Sequence, residues 1–459
     1  MAQSITFHGA AEVVTGSKHL LTLDGKRILV DCGLFQGTRD ARSLNWERFS
    51  FDPASLDAVV ITHAHLDHIG MLPRLVAFGY SGPIYATPAT IGLSRISLPD
   101  SARIQEEDAR RANRHGSRHS PALPLYTEEQ AFACLKQFQP VHYDETRALP
   151  GGAQFRFHPA GHILGSAFAE IFFANGGRIL MSGDLGRFNT PIIRDPTLMD
   201  AAEYLVVEST YGDRLHSPED PMVKLEQILH DAMQTGAAVI VPSFAIGRTQ
   251  ELLYYCRKLQ DAGRMPRIPV FIDSPMGMSA TALYASCKEE QDADMRLSVD
   301  EHRSELEPEG VEFIRDREQS KALNNRPGPL MIIAGSGMAT GGRVIHHLLN
   351  RIGNPKTIVV FTGYQAAGTL GRHILDGEPI VRIFGEEVHV AARVEQLSAL
   401  SAHADQGEIL HWLKAFKSPP RRTFIVHGEP PAQQALQAKI REELGWETVI
   451  PHMHQAFAL

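Results

Sequence analysis

Hydrophobic and polar positions follow one rhythm in the first half of this chain and another in the second. Near the start, Ile5-Thr6-Phe7-His8, His19-Leu20-Leu21-Thr22-Leu23 and Arg27-Ile28-Leu29-Val30-Asp31 read as strands, the last two joined by a turn at Asp24-Gly25. Ala58-Val59-Val60-Ile61-Thr62 is a further strand, and the spacing from Ile69 to Phe78 is helical. The charged stretch 94–147 reads as a helical excursion carrying Arg103, Arg110, Arg111, Arg114 and Arg118, with a break at His119-Ser120-Pro121. Interleaved Glu106, Glu107 and Asp108 make a solvated helix face the simpler reading of those arginines. Strands resume at 154–158, 167–173, 178–181 and 204–208. From 237 onward strand and helix alternate: 237–242 with 247–260, 269–273 with 276–288, 330–334 with 341–352, and 357–361 with 369–375. That alternation predicts a parallel sheet with flanking helices. Closing strands at 422–426 and 447–450 look like the missing end of the first domain. The expected organisation is a first domain in two parts, 1–210 and 395–459, interrupted by an α/β insertion at 211–394, with the two domains facing across a cleft.

A chain of 459 residues exceeds the size at which one core keeps growing, which agrees with two domains. Hydrophobic residues at 43% and charged residues at 21% describe an ordinary globular protein. No apolar run reaches a membrane span, and the N-terminus lacks a basic region followed by an apolar one, so a cytoplasmic protein is expected. Cys32, Cys134, Cys256 and Cys287 stand far apart, as reduced thiols do. The net charge of −8 argues against a protein that coats nucleic acid through many Lys and Arg contacts. It does not argue against a nuclease, because a bound metal supplies local positive charge that composition does not record.

Several of the 22 histidines are clustered. Thr62-His63-Ala64-His65-Leu66-Asp67-His68 follows an apolar strand directly, so its side chains splay from a loop at a sheet edge. His63 and His65 can hold one ion while Asp67 and His68 project toward a second; neutral imidazoles with a carboxylate are zinc-type ligands. One such histidine would be an ordinary surface residue, but three with an aspartate in six positions are not. Further ligands must come from afar, and His162 in Gly161-His162-Ile163-Leu164-Gly165-Ser166 and Asp184 in Ser182-Gly183-Asp184 both follow strands. A carboxylate can bridge two cations with its two oxygens, which makes Asp184 the natural shared ligand. Asp31, at the end of an earlier strand, suits a hydrogen bond that fixes a ligand imidazole.

HAHLDH, then GHILGSA, then SGD resembles the metallo-β-lactamase superfamily over residues 1–210. Glu208-Ser209-Thr210-Tyr211-Gly212, Ser401-Ala402-His403-Ala404-Asp405 and Val426-His427-Gly428-Glu429 are similar to motifs A, B and C of its β-CASP nuclease branch. The resemblance implies an αββα sandwich with an inserted parallel-sheet β-CASP domain. It also implies two zinc ions per chain, one on His63, His65, His162 and Asp184, the other on Asp67, His68, Asp184 and His427. His403 is then the general acid with Glu208 as its partner, and Asp67 counts with them among the catalytic residues. A histidine in motif C is what RNA-directed members carry, so the implied activity is hydrolysis of single-stranded RNA. The expected cut leaves 5′-phosphate and 3′-hydroxyl ends, endonucleolytic with exonuclease action and a homodimer both left open.

Ser243 and Arg248, then Ser336, Gly337 and Arg343, stand where helix N-termini could hold backbone phosphates, and Ser401 joins them as a substrate contact. A dinucleotide-binding reading of Gly335-Ser336-Gly337 is weak, because Gly341 is one position off the required spacing. A thioesterase or lactonase would use the same metals without needing the insertion, His403 or His427. An inactive scaffold would have lost ligands that are all present here.

Overall fold

Asp24 and Gly25 both take positive φ, 49° and 84°, which closes a two-residue hairpin between His19–Leu23 and Lys26–Val30 with Leu23 opposite Lys26. This turn starts the first sheet in a computed structural model that describes residues 3–115, 121–300 and 305–459. Arg118 and the break at His119-Ser120 lie outside the described residues. The chain divides into two units, one running to Thr190 and continuing through Asp195–Leu215 and His403–Leu459, the other made of Pro191–Arg194 and His216–Ala402.

In the first unit two seven-stranded sheets lie face to face. One runs in the order Ala456–Ala458, Ser4–Phe7, His19–Leu23, Lys26–Val30, Ala58–Val60, Ile84–Ala86, Phe138–Pro140; the other Thr448–Val449, Arg422–Ile425, Tyr204–Val207, Arg178–Met181, Ala167–Phe172, Gln154–Pro159, Arg147–Ala148. Period-two alternation turns Ile5, Phe7, Ile28 and Val30 of one sheet onto Phe155, Phe157, Ile171 and Met181 of the other, and these form the interior. Outside the second sheet, helices Gln406–Leu413 and Pro430–Leu444 bury Trp412, Leu436 and Ile440 against Phe168, Leu180 and Ile425. Each such side chain contributes about 1.5–3 kcal/mol. Asp405 and Glu408 form a reciprocal capping box at the start of the first of these helices. Beside the other sheet lie Leu72–Ala77, Pro88–His115 and Glu128–Leu135. The layers are therefore α, β, β, α. The stretch 94–147 is not wholly helical, because after Leu135 it supplies edge strands to both sheets.

The second unit carries a six-stranded parallel sheet in the order Val311–Phe313, Val270–Asp273, Leu330–Ala334, Ala238–Pro242, Thr357–Phe361, Arg393–Gln396. The central strands are apolar on both faces, as covering by helices on both sides requires. One face packs on Leu225, Leu252 and Leu253, the other on Val344, Leu348 and Ile374. Among the described residues no helix is long and apolar enough to cross a membrane.

Candidate active site

In the first unit the polar residues singled out above sit where strands end. Asp31 follows Lys26–Val30, the His63–His68 segment follows Ala58–Val60, Asp184 follows Arg178–Met181, Glu208 follows Tyr204–Val207, and His427 follows Arg422–Ile425. The strands within each of these two groups are parallel, so the side chains emerge at one end of each sheet. Backbone geometry is specialised there. Asp31 and His427 take φ of 60° and 52°. At Gly183, φ is 52° and a Cβ would stand 2.7 Å from the Thr62 side chain, so the Asp184 loop passes the histidine segment without room for another residue type.

Four donor atoms converge first. His63 Nε2 is 3.2 Å from His65 Nδ1, His162 Nε2 is 3.1 Å from the same atom, and Asp184 Oδ2 is 3.3 Å and 3.4 Å from His63 and His162 Nε2. Donors on a tetrahedron about 2.0–2.1 Å from its centre are separated by roughly 3.3 Å, so the set has the dimensions of a zinc site. A second set adjoins it. His68 Nε2 lies 3.2 Å from His427 Nε2 and 3.1 Å from Asp184 Oδ1, while His427 Nε2 is 3.5 Å from both Asp184 Oδ1 and Asp67 Oδ2. Asp184 thus turns one oxygen to each set. Asp184 is buried, and its Oδ1 faces only imidazole nitrogens of the second set, which fits a carboxylate arranged for a cation.

Protonation follows the same geometry. Burial first, then the neighbouring His63, lowers His65 to about 3. Burial also lowers His63 and His162, leaving neutral imidazoles with lone pairs to offer. His68 differs: burial opposes its charge, but Asp184 and Asp31 outweigh burial and hold it well above the usual histidine range. Its Nδ1 donates to Asp31 Oδ2 at 2.8 Å, so the second proton sits on Nε2, facing Asp184 where a cation would otherwise balance that carboxylate. Asp31 is itself held by Thr62, whose N–H and hydroxyl each donate to it at 2.8 Å. For Asp184, burial raises the carboxyl but the charges of His427 and His68 hold it well below the carboxylate range.

His403 stands beside the first set with Nδ1 3.0 Å from Glu208 Oε1 and 3.9 Å from Asp184 Oδ2. Burial works against its charge, but Glu208 overcomes burial, and His403 is raised to about 9. Glu208 also accepts from Leu185 N at 2.7 Å and from the Thr210 hydroxyl at 2.5 Å. The sequence reading missed Thr210, Thr62 and Ser182, whose hydroxyl accepts from Glu208 N at 3.1 Å. Their only signal is a hydroxyl placed one or two residues from a ligand or acid.

The proposed substrate contacts belong to the second unit and are built differently. Ser243 and Ser401 are buried, and Ser243 Oγ meets Thr249 Oγ1 at 3.2 Å. Arg248 is 4% exposed and pairs with Glu251. Arg343 donates to Asp273 Oδ1 at 2.6 Å and to the carbonyls of Ile314 and Arg315. Both guanidinium groups are therefore committed to protein acceptors rather than presented freely to phosphate. Ser336 Oγ accepts from Thr340 N at 3.0 Å, and a Cβ at Gly337 would stand 2.4 Å from the Phe244 ring.

Comparison with known proteins agrees with this architecture. Residues 15–87 match the metallo-β-lactamase superfamily, 249–374 the Beta-Casp domain, and 387–451 the RNA specificity domain of Zn-dependent metallo-hydrolases. Ribonuclease TTHA0252 of Thermus thermophilus is 40% identical over 422 residues, covering 92% of each chain. The RNase J-like protein of Methanocaldococcus jannaschii is 28% identical and 97% covered on both sides. Transcription termination factor FttA of Methanosarcina mazei is 29% identical over 97% of this chain and 70% of its own length. A crystal structure of an Enterococcus faecalis protein of unknown function shares the fold, with a TM-score of 0.55 at 15% identity over the full length of both chains. The chain is a metal-dependent hydrolase, and it belongs to the β-CASP ribonuclease family of the metallo-β-lactamase superfamily.

Proposed function

We propose that this ribonuclease hydrolyses phosphodiester bonds of single-stranded RNA with two zinc ions per chain. In this reading His63, His65, His162 and Asp184 hold one ion and Asp67, His68, Asp184 and His427 the other. The observation that carries it is Asp184, whose two oxygens face two separate donor sets. When bound, such a pair of ions supplies a nucleophile at neutral pH and neutralises charge on the phosphoryl oxygens. The chain's own residues do the rest. Asp31 orients His68 through Nδ1, leaving Nε2 for the site. His403, held by Glu208, gives its Nε2 proton to the leaving 3′-oxygen as the P–O3′ bond breaks, which produces a 5′-phosphate and a 3′-hydroxyl.

A digest of end-labelled single-stranded RNA and DNA of one sequence, at matched salt, tests the reading. RNA is expected to be cut faster, with 5′-phosphate and 3′-hydroxyl product ends. Equal or faster turnover of the DNA, or 3′-phosphate ends, overturns it.

A further inference from the structure

Glu208 is fully buried and accepts from four donors: Leu185 N at 2.7 Å on Oε1, His403 Nδ1 at 3.0 Å on Oε1 and 3.2 Å on Oε2, and Thr210 N at 3.2 Å and the Thr210 hydroxyl at 2.5 Å on Oε2. A carboxylate surrounded in this way acts only as an acceptor. The Thr210 hydroxyl, buried with it, touches His427 as well, with Oγ1 3.1 Å from Nδ1 and 3.3 Å from the carbonyl oxygen.

From this we propose that Thr210 is a positioning residue through which one carboxylate, Glu208, sets the tautomer of both late histidines. The hydroxyl has a single proton. The shortest contact and the negative charge both direct it to Glu208 rather than to the His427 carbonyl. Thr210 Oγ1 then turns a lone pair to His427 Nδ1, so that nitrogen must carry the proton and donate. His427 Nε2 is then the ring nitrogen turned to Asp184 Oδ1 and Asp67 Oδ2 at 3.5 Å and to His68 Nε2 at 3.2 Å, the atoms of the second donor set. Without a proton on Nδ1, two lone pairs would stand against each other there.

The backbone leaves this contact little freedom. His427 N–H is tied to the Ala10 carbonyl at 2.8 Å, the Ser209 hydroxyl donates to the Val426 carbonyl at 2.7 Å, and a Cβ at Gly428 would stand 2.3 Å from Ser209 Oγ. The segments 208–210 and 426–428 are thus packed as one piece. The arrangement parallels that at His68, where Asp31 reaches the imidazole directly; at His427 the carboxylate acts through an intervening hydroxyl. The same Glu208 holds His403 with its proton on Nδ1, at 3.0 Å from Oε1 and 3.2 Å from Oε2. One buried charge therefore orients a metal-facing imidazole and the proposed proton donor together.

The consequence for metal binding rests on the two-ion reading, whereas the tautomer assignment does not, and the experiment separates them. Thr210→Val keeps the shape and removes the hydroxyl; Thr210→Ser keeps the hydroxyl. Ring-nitrogen NMR of the metal-free protein should find His427 protonated on Nδ1 in the parent and in T210S, with that preference lost in T210V. Zinc titration against a competing chelator should show one site of T210V weakened by about 10–100-fold, the usual cost of removing an imidazole's hydrogen-bond partner, with T210S near the parent. His403→Ala should leave both zinc affinities unchanged. Retention of the Nδ1 proton in T210V, or damage in T210S equal to that in T210V, overturns the proposal. A parent protein that takes up only one ion overturns the two-ion reading instead, and the ring-nitrogen measurement still decides the role of Thr210.

Discussion

Replacing His403 by alanine removes the imidazole that Glu208 holds 3.0 Å away while leaving the two donor sets their atoms. Asp184 Oδ2 is 3.9 Å from His403 Nδ1, beyond the 3.1–3.4 Å spacing within the first set, so the variant should keep its metal. Its loss should appear in turnover. Removing a positioned general acid typically costs about 10²–10⁴-fold, or roughly 3–5 kcal/mol of barrier at 1.36 kcal/mol per decade. Glu208, Asp184 and Asp67 raise His403 to about 9 against the effect of burial. Cations at Asp184 and Asp67 would cancel part of that support, so the working value lies lower than in the metal-free chain. An acid must hold its proton to act, and the rate on RNA should therefore fall as pH rises through that value, an alkaline limb that the alanine variant lacks. A nitrophenyl phosphodiester, whose leaving group needs no proton, should be cleaved by the variant at nearly the parent rate. Loss of zinc in the variant, or equal losses on RNA and on the activated ester, would refute the assignment and place His403 among the ligands or the structural residues.

Asp184→Ala should bring turnover to background and deplete metal at both donor sets; two ions per chain measured in that variant by elemental analysis would end the case for a shared carboxylate. Lys18 is a buried ammonium with no carboxylate partner among the described residues, bonded to the carbonyls of Gly16 at 2.8 Å and Gly33 at 2.7 Å, and burial lowers it to about 8. Its folded value lies below the unfolded one, near 10.5, so between those pH values the unfolded chain binds more protons and stability must rise with pH. Denaturant unfolding at pH 8 and pH 10 should show a rise of about 2 kcal/mol between the two pH values in the parent relative to Lys18→Met, and parallel behaviour of the two proteins would show that Lys18 does not titrate in this window.

What could be read from the sequence depended on whether the signal was local. The HAHLDH segment announces itself because its three histidines and one aspartate are close together in the chain and follow an apolar strand, and the Asp24-Gly25 turn is a two-residue code for positive φ. The alternation after 237 disclosed the parallel sheet for the same reason. Strands Phe138–Pro140 and Arg147–Ala148 stayed hidden in a charged stretch, since each is only two or three residues long and pairs at a sheet edge. Val311–Phe313 and Arg393–Gln396 were missed likewise, as edge strands with exposed charged positions and no apolar run. The arginines at 248 and 343 show the converse, partners that a first-turn position does not disclose. Their place in a first helical turn suggested phosphate contacts, but Glu251 and Asp273, which take up their charge, could be identified only from the fold.

The order in which donors enter the chain has a physical consequence. His63, His65, His162 and Asp184 are all present by residue 184, the first two after a strand of the first sheet and the others after strands of the second, so this donor set draws only on the early part of the chain. The adjoining set draws His68 and Asp67 from that same early segment but needs His427, 359 residues beyond His68. His427 reaches them only after Arg422–Ile425 has paired alongside Tyr204–Val207. His403 depends on the same late segment, through Ala404 N bonded to Leu185 O at 2.8 Å. A ligand set absent from the unfolded chain makes metal binding and folding a single equilibrium. Occupation of the second set therefore favours the docked C-terminal segment, and the same docking brings in His403. His403 and His427, the last metal-facing histidine, are thus brought in by one docked segment.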